Sequence, residues 1–253
     1  MELPACLEDD AGRGWGSRAV FTCDEDGAAD LSQRKPAGGS YREADPMGLL
    51  WSMSPRDAKD GGLYVKENTA PARVAFAAEV DGTTAAAREI ERMYLAPGVK
   101  RIAVDEDGIV GTYFKPAGAK PHPAIMVVHG TANRIMEDRG SLLASRGYAV
   151  LSLLYFGAKG LPDEFIRIPV EYFERCIAWL SARPEVKEGG VALVGVSRGG
   201  EGALQVASKL EKINAVVSIS GSGVVFEGLH RNPREGEPDT PWTWRGEPVP
   251  FAK

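Results

Sequence analysis

The segment Gly195-Val-Ser197-Arg-Gly199-Gly200 is the part of this 253-residue chain best suited to covalent chemistry. It follows an apolar run, Val191 to Val196. It precedes a stretch, Gly199 to Leu210, in which Ala203, Val206, Ala207 and Leu210 fall on one helical face. A serine between a buried strand and a helix occupies a sharp turn. Glycines two residues before and after it let the neighbouring backbone pass closely. The hydroxyl then projects at the carboxyl end of the strand, where the helix presents its positive end. That arrangement suits attack of Ser197 on an acyl carbonyl. The N–H of Arg198 would donate to the developing oxyanion. A second donor is expected from Gly130 or Thr131, in the loop that follows the apolar run Ala124 to Val128. The competing reading is a helix-capping serine with no chemistry. Strand, turn, helix and His129-Gly130 loop in order favour the nucleophile.

A serine nucleophile needs a base, and the base needs an orienting acid, in the chain order Ser, acid, His. The chain has three histidines. His122 lies in a Pro-rich loop and reads as exposed. His129 precedes the serine and belongs to the oxyanion loop, where a structural role is expected. His230 follows Ser197, but with no further strand and helix between, too early for the usual base. Asp239, the one aspartate after Ser197, follows His230 and reverses the expected order. No histidine is therefore expected within hydrogen-bond reach of the Ser197 hydroxyl.

The elements that must hold this serine alternate. Continuous apolar runs at Ala124–Val128, Tyr148–Leu154, Val191–Val196 and Ala215–Ile219 suit strands buried on both faces of a parallel sheet. Between two of them, Val170, Phe173, Ile177 and Leu180 recur at helical spacing behind Pro169. A hairpin is expected at Ile102–Val104 and Ile109–Phe114. The pattern is α/β. Before Pro97-Gly98 the chain reads as β. Ser17–Cys23 is a short strand, Ala72–Val80 alternates, and Ala85–Tyr94 reads as a returning strand or a helix, together suggesting a small sandwich.

A net charge of −5, with no block of Lys or Arg, argues against a nucleic-acid partner. No apolar run approaches the roughly 20 residues that span a bilayer, and the acidic N-terminus is not a secretory signal. Cys6, Cys23 and Cys176 lack metal-ligand spacing. No metal or cofactor is expected, and a reduced, cytoplasmic protein is.

Several segments resemble the acyl-CoA thioesterase family that includes the bile acid-CoA:amino acid N-acyltransferases. They are Gly38 to Met53, with its Pro-Met-Gly-Leu-Leu-Trp51 stretch, Arg92 to Val99, Glu171-Tyr-Phe-Glu174, Arg183 to Lys187, and the Gly195 to Glu201 elbow. The resemblance implies an N-terminal β-sandwich over 1–98, its first strands missing here, and an α/β-hydrolase domain over 99–253. It implies hydrolysis of a fatty acyl-CoA through an acyl-serine intermediate. The acyltransferase branch uses cysteine in place of this serine, so Ser197 favours hydrolysis.

In that family a segment like Trp242 to Pro248 precedes the catalytic Asp and His. The resemblance thus implies a hydrolase domain truncated after the elbow and the next strand. Trp242, Trp244 and Phe251 are then expected against the cut face or exposed, and the strand at Ala215–Ser220 at an open edge. Three functions follow: an acyl-CoA thioesterase completed by a further segment, a non-catalytic acyl or CoA binding remnant, or another serine ester hydrolase of the same fold.

Overall fold

Short alternating strands separated by Gly, Asp and Pro build the first part of the chain. The computed structural model describes residues 1–57, 62–231 and 237–252. It divides into two compact units, Met1–Tyr94 and Leu95–Lys253. The first unit contains β1 (Glu2–Glu8), β2 (Gly14–Val20), β3 (Gly38–Gly39), the one-turn helix α1 (Gly48–Trp51), β4 (Ser54–Pro55), β5 (Ala72–Val80) and β6 (Thr83–Arg92). All its strands join one antiparallel sheet, in the order β3-β2-β1-β5-β6 with β4 beside β2. The sandwich read from the sequence is thus a single sheet. A strand at β1 precedes the one expected first, and that one lies earlier, at Gly14–Val20. The returning stretch after Asp81-Gly82 is a strand, β6, not a helix. Ala5, Ala19, Phe21, Tyr41 and Leu49 form the core of this unit. Gly48, in the Pro-Met-Gly-Leu-Leu-Trp stretch, lies under the Tyr41 ring, where any Cβ would overlap it.

The second unit is α/β. Its sheet begins with the hairpin β7 (Lys100–Glu106) and β8 (Ile109–Lys115), followed by β9 (His122–Val128). Helix α2 (Glu137–Ala144) leads to β10 (Ala149–Leu154). The two-residue β11 (Ile168–Pro169) leads into helix α3 (Val170–Ser181), then β12 (Val186–Val196), helix α4 (Arg198–Lys209) and β13 (Ile213–Ile219). The sheet order is β13-β12-β9-β10-β8-β7, with β13, β12, β9 and β10 parallel. Parallel strands covered by helices on their faces need apolar side chains on both faces, and Ala124 to Val128 and Ala149 to Leu153 are all buried. Helix α3 buries Val170, Tyr172, Phe173, Cys176, Ile177 and Leu180. Each fully buried large apolar side chain of this kind contributes about 1.5–3 kcal/mol. Among the described residues no helix is long and apolar enough to cross a membrane.

The last segment does not lie exposed. After β13 the chain returns to form β14 (Trp242–Trp244), parallel to β11, and β15 (Glu247–Pro248), antiparallel to β14. Trp242 is fully buried. Its ring packs against Phe165, Tyr155 and Phe173 at centroid distances of 5.2, 5.9 and 6.1 Å. Its indole N–H donates to the Glu201 carboxylate at 2.9 Å. Gly202 of α4 sits beneath the indole, where a Cβ would come within 2.6 Å of the ring. Trp244 and Phe251 are half-buried against the same core. Strand β13 is an edge of the sheet, with Val217 51% and Ile219 40% exposed.

Candidate active site

Strand β12 ends at Val196 and α4 begins at Arg198, so Ser197 alone makes the turn. Its backbone takes φ 54° and ψ −127°. A non-glycine residue in that region is strained, at a cost of about 1–3 kcal/mol, and persists only where its surroundings fix it. Here Ser197 N–H donates to the Ile219 carbonyl on β13 at 2.8 Å, and the Gly200 N–H closes onto the Ser197 carbonyl at 2.8 Å. A Cβ at Gly195 would overlap the Gly199 carbonyl, and one at Gly199 would overlap the carbonyl oxygens of Val128 and His129. Gly200 faces Ser218, whose Oγ would lie 2.5 Å from an added Cβ. The three glycines therefore permit backbone crossings at the serine, and their spacing has a steric cause.

The loop after β9 borders the serine. A Cβ on Gly130 would lie 3.1 Å from Ser197 Cβ and 3.7 Å from its Oγ, so the Gly130 backbone is packed against the hydroxyl. Gly130, Thr131 and Ser197 line one cavity of about 300 Å³. The Arg198 amide is the first of α4 and has no intrahelical acceptor. The Arg198 guanidinium is engaged elsewhere, donating to the carbonyls of Phe226 and Glu227 at 3.0 and 2.8 Å. It also lies 3.4 Å from Glu201, a buried carboxylate that accepts from Trp242. Glu201, one turn beyond Ser197, and Tyr155 at the end of β10 escaped the sequence reading; the position of each relative to a strand end or to the serine was the available signal.

His129 is 1% exposed, and its ring stacks on Tyr155 at 4.1 Å between centroids. Its Nδ1 lies 2.5 Å from the Gly130 carbonyl, which can only accept, so Nδ1 carries the proton. The Tyr155 hydroxyl donates to the His129 carbonyl at 2.6 Å. Burial pushes the imidazole down to about 4, the Gly130 bond opposes this, and the Arg134 charge adds to it. His129 is thus a neutral ring that holds the loop in place.

The opposite side of the serine is different. The Ser197 hydroxyl makes no side-chain hydrogen bond that caps α4. His230 Nδ1 faces Glu164 at 3.1 Å and its Nε2 faces the Glu237 carbonyl at 3.1 Å. Asp239 pairs with Arg167 at 2.6 Å. His122 Nδ1 lies 2.8 Å from the Gly147 carbonyl and is half-buried rather than exposed. No histidine among the described residues bonds Ser197. Cys176 offers no alternative nucleophile, because burial in α3 pushes its thiol up to about 12. A larger cavity, about 620 Å³, lies on the first unit's sheet, with Cys6, Arg18 and Arg56 in its lining. Among the described residues its lining contains no histidine.

Residues 1–106 match the family region described as Acyl-CoA thioester hydrolase/BAAT N-terminal region, and residues 168–241 match BAAT / Acyl-CoA thioester hydrolase C terminal. Acyl-coenzyme A thioesterase 1 of Rattus norvegicus is 37% identical over 227 residues, covering 88% of this chain and 54% of that protein. This chain belongs to the acyl-CoA thioesterase/BAAT family. The bile acid-CoA:amino acid N-acyltransferase of Mus musculus, of the same family, is 35% identical over 237 residues, 90% of this chain and 56% of that protein. The chain spans about half the length of the curated relatives it matches. Among solved structures, hypothetical protein PA2218 of Pseudomonas aeruginosa matches with TM-score 0.44 and 22% identity, over 51% of this chain and 44% of that one.

Proposed function

We propose that this family member takes an acyl group from an acyl-CoA thioester onto Ser197. The Ser197 oxygen attacks the thioester carbon, and the tetrahedral oxyanion accepts from the Arg198 N–H and from Gly130 or Thr131. The carbon–sulfur bond then breaks, CoA leaves as the thiol carrying the serine proton, and an acyl-serine ester remains. Water cleaves that ester to the free acid. The observation that carries this reading is the strained turn at Ser197, with the Gly130 backbone packed against its side chain. Family membership supports a thioester as the substrate.

One observation favours a second reading. Among the described residues no histidine bonds Ser197, and a serine without its base keeps only the acceleration of binding and oxyanion donors, roughly 10³–10⁴ over water in serine proteases. A chain in that state binds acyl-CoA and turns it over slowly or not at all. Incubation with acyl-CoA followed by intact-mass and peptide analysis separates the two. An acyl adduct on Ser197, absent from Ser197→Ala, supports the nucleophile. Calorimetric binding of acyl-CoA with no adduct after long incubation selects the binding reading, and neither binding nor adduct rejects both.

A further inference from the structure

Glu201 is a buried acid in the first turn of α4, 1% exposed and one turn beyond Ser197. An acid in the first turn complements the helix dipole equally well from the surface. A buried ion pair is often no more stabilising than apolar side chains of the same size. Its burial needs a further reason, and its partners supply one. One carboxylate oxygen accepts from the Trp242 indole N–H at 2.9 Å. The other accepts from the Phe226 N–H at 3.3 Å and lies 3.4 Å from Arg198 Nε. That nitrogen is buried and, among the described residues, makes no hydrogen bond, so the carboxylate charge is what compensates it.

Arg198 completes a clasp. Its guanidinium takes the Phe226 carbonyl while Glu201 takes the Phe226 N–H, and it donates to the Glu227 carbonyl as well. The clasped segment is itself fixed, because Phe226 bridges to Ala252 and Leu229 to Phe165. The guanidinium also lies over the Phe165 ring, 5.1 Å from its centroid. What this anchors is the peptide between Ser197 and Arg198, which carries the Arg198 N–H. The carbonyl of that peptide accepts from the Gly200 N–H at 2.8 Å. Arg198 Cα lies at its far end, where the clasped side chain holds it. A donor to an oxyanion works only when its direction is fixed before the reaction. Charge requires the same pairing. A lone carboxylate one turn from Ser197 would repel the oxyanion, and the Arg198 guanidinium cancels it.

We propose that Glu201 is a positioning residue for acyl transfer: it holds the Arg198 guanidinium on the Phe226 and Glu227 carbonyls and so aims the Arg198 N–H at the oxyanion. The inference rests on the reading of Ser197 as acyl acceptor. Trp242 belongs to the same device, because its indole N–H keeps Glu201 in place and ties β14 to the elbow.

A double-mutant cycle on the rate of Ser197 acylation by saturating hexanoyl-CoA tests it on the full chain, read by intact mass, with half-saturating concentration and thermal unfolding measured for each variant. Glu201→Gln keeps the size and an acceptor for Trp242 but removes the charge. Arg198→Met keeps the stem and the backbone N–H. Each should slow acylation about tenfold, the scale of a misaimed oxyanion donor. The half-saturating concentration should stay within about twofold, because the device acts on the transition state. The double variant should also be slowed about tenfold, not about a hundredfold, since either change disables the same device. Multiplying effects overturn the inference. So does Glu201→Gln that lowers the unfolding temperature and leaves the rate of the folded chain unchanged. A faster Glu201→Gln overturns it too, by showing that the carboxylate acts on the oxyanion as charge alone. If Glu201→Gln does not fold, Trp242→Phe decides. It keeps an aromatic ring and loses the donor, and should slow acylation about threefold in the parent and not at all in Arg198→Met; an unchanged rate in the parent, or equal slowing in both, overturns the inference. No acylation of the unaltered chain refutes the reading of Ser197 itself and takes this inference with it.

Discussion

Strands β9 and β13 flank the same strand, β12, in the same parallel register, and they end at opposite sides of the same serine. Their surroundings have little in common. The apolar run of β9 is buried throughout, and its loop carries Gly130 against Ser197 and His129 stacked on Tyr155. Most of β13 is exposed, and its end offers Ser197 a single carbonyl, that of Ile219. The difference separates two components of serine chemistry. Oxyanion stabilisation needs rigid backbone donors, and the β9 side supplies rigidity. Base catalysis needs a histidine, and on the β13 side the described residues place none at the hydroxyl.

Replacing Tyr155 strikes the built side hardest. Its side chain is fully buried at the meeting point of His129, Phe156, Phe165, Phe173 and Trp242. Tyr155→Ala should cost about 4 kcal/mol of unfolding free energy in denaturant titration, a large part of a typical 5–15 kcal/mol total. Tyr155→Phe should cost only about 1 kcal/mol, the Tyr155–His129 hydrogen bond.

His129 gives that side a pH signature. The folded imidazole titrates near 4 and the unfolded one near 6.5. Above pH 6.5 both states are neutral and the stability is fully present. Between 6.5 and 4 the unfolded chain binds a proton that the folded chain refuses, so stability falls with falling pH. The His129 contribution to that fall is about 3 kcal/mol, measured as the difference between the parent chain and His129→Gln across the window. A difference that stays constant between pH 7 and 4 would show that the ring is not protected.

Gly130→Ala acts on rate more than on stability. The added Cβ lies 3.0 Å from the Val196 carbonyl and 3.1 Å from Ser197 Cβ, so the loop must shift by a few tenths of an ångström. Loss of one oxyanion donor costs 10²–10³ in subtilisin, and a displaced donor should slow Ser197 acylation by about 10–100-fold. Unchanged acylation would remove Gly130 from the oxyanion site. The smallest effects belong to the other side. Val217→Ala on β13 should change stability by less than about 0.5 kcal/mol, and His230→Ala should leave Ser197 acylation within about twofold.

What the sequence revealed follows from where period and spacing are enforced. Strands β9, β10 and β12 were readable because burial on both faces demands unbroken apolar runs. The elbow glycines were readable because backbone crossings leave no room for side chains at fixed offsets from Ser197. Strand β1 was not, because Pro4 and the mixed residues from Glu2 to Glu8 show no clean alternation. Helix α2 was not, because Gly140 and Ser141 sit on its buried side and blur the apolar stripe. Whether Trp242 is buried or exposed was left open because two-residue pairings, β11 with β14, have no sequence period. The cavity lining at Ser197 was invisible because Arg134 and Arg139 reach it only through the fold of the irregular stretch after Thr131.

The contrast between the two sides of Ser197 is tested most directly by the pH dependence of its acylation, followed by intact mass from pH 6 to 9 and corrected with Ser197→Ala. A serine with oxyanion donors and no paired base depends on hydroxide, so the logarithm of the rate should rise linearly by about one per pH unit without levelling. A rate that levels above pH 7, with an inflection in the histidine range, would contradict the account by showing a base at work on the hydroxyl.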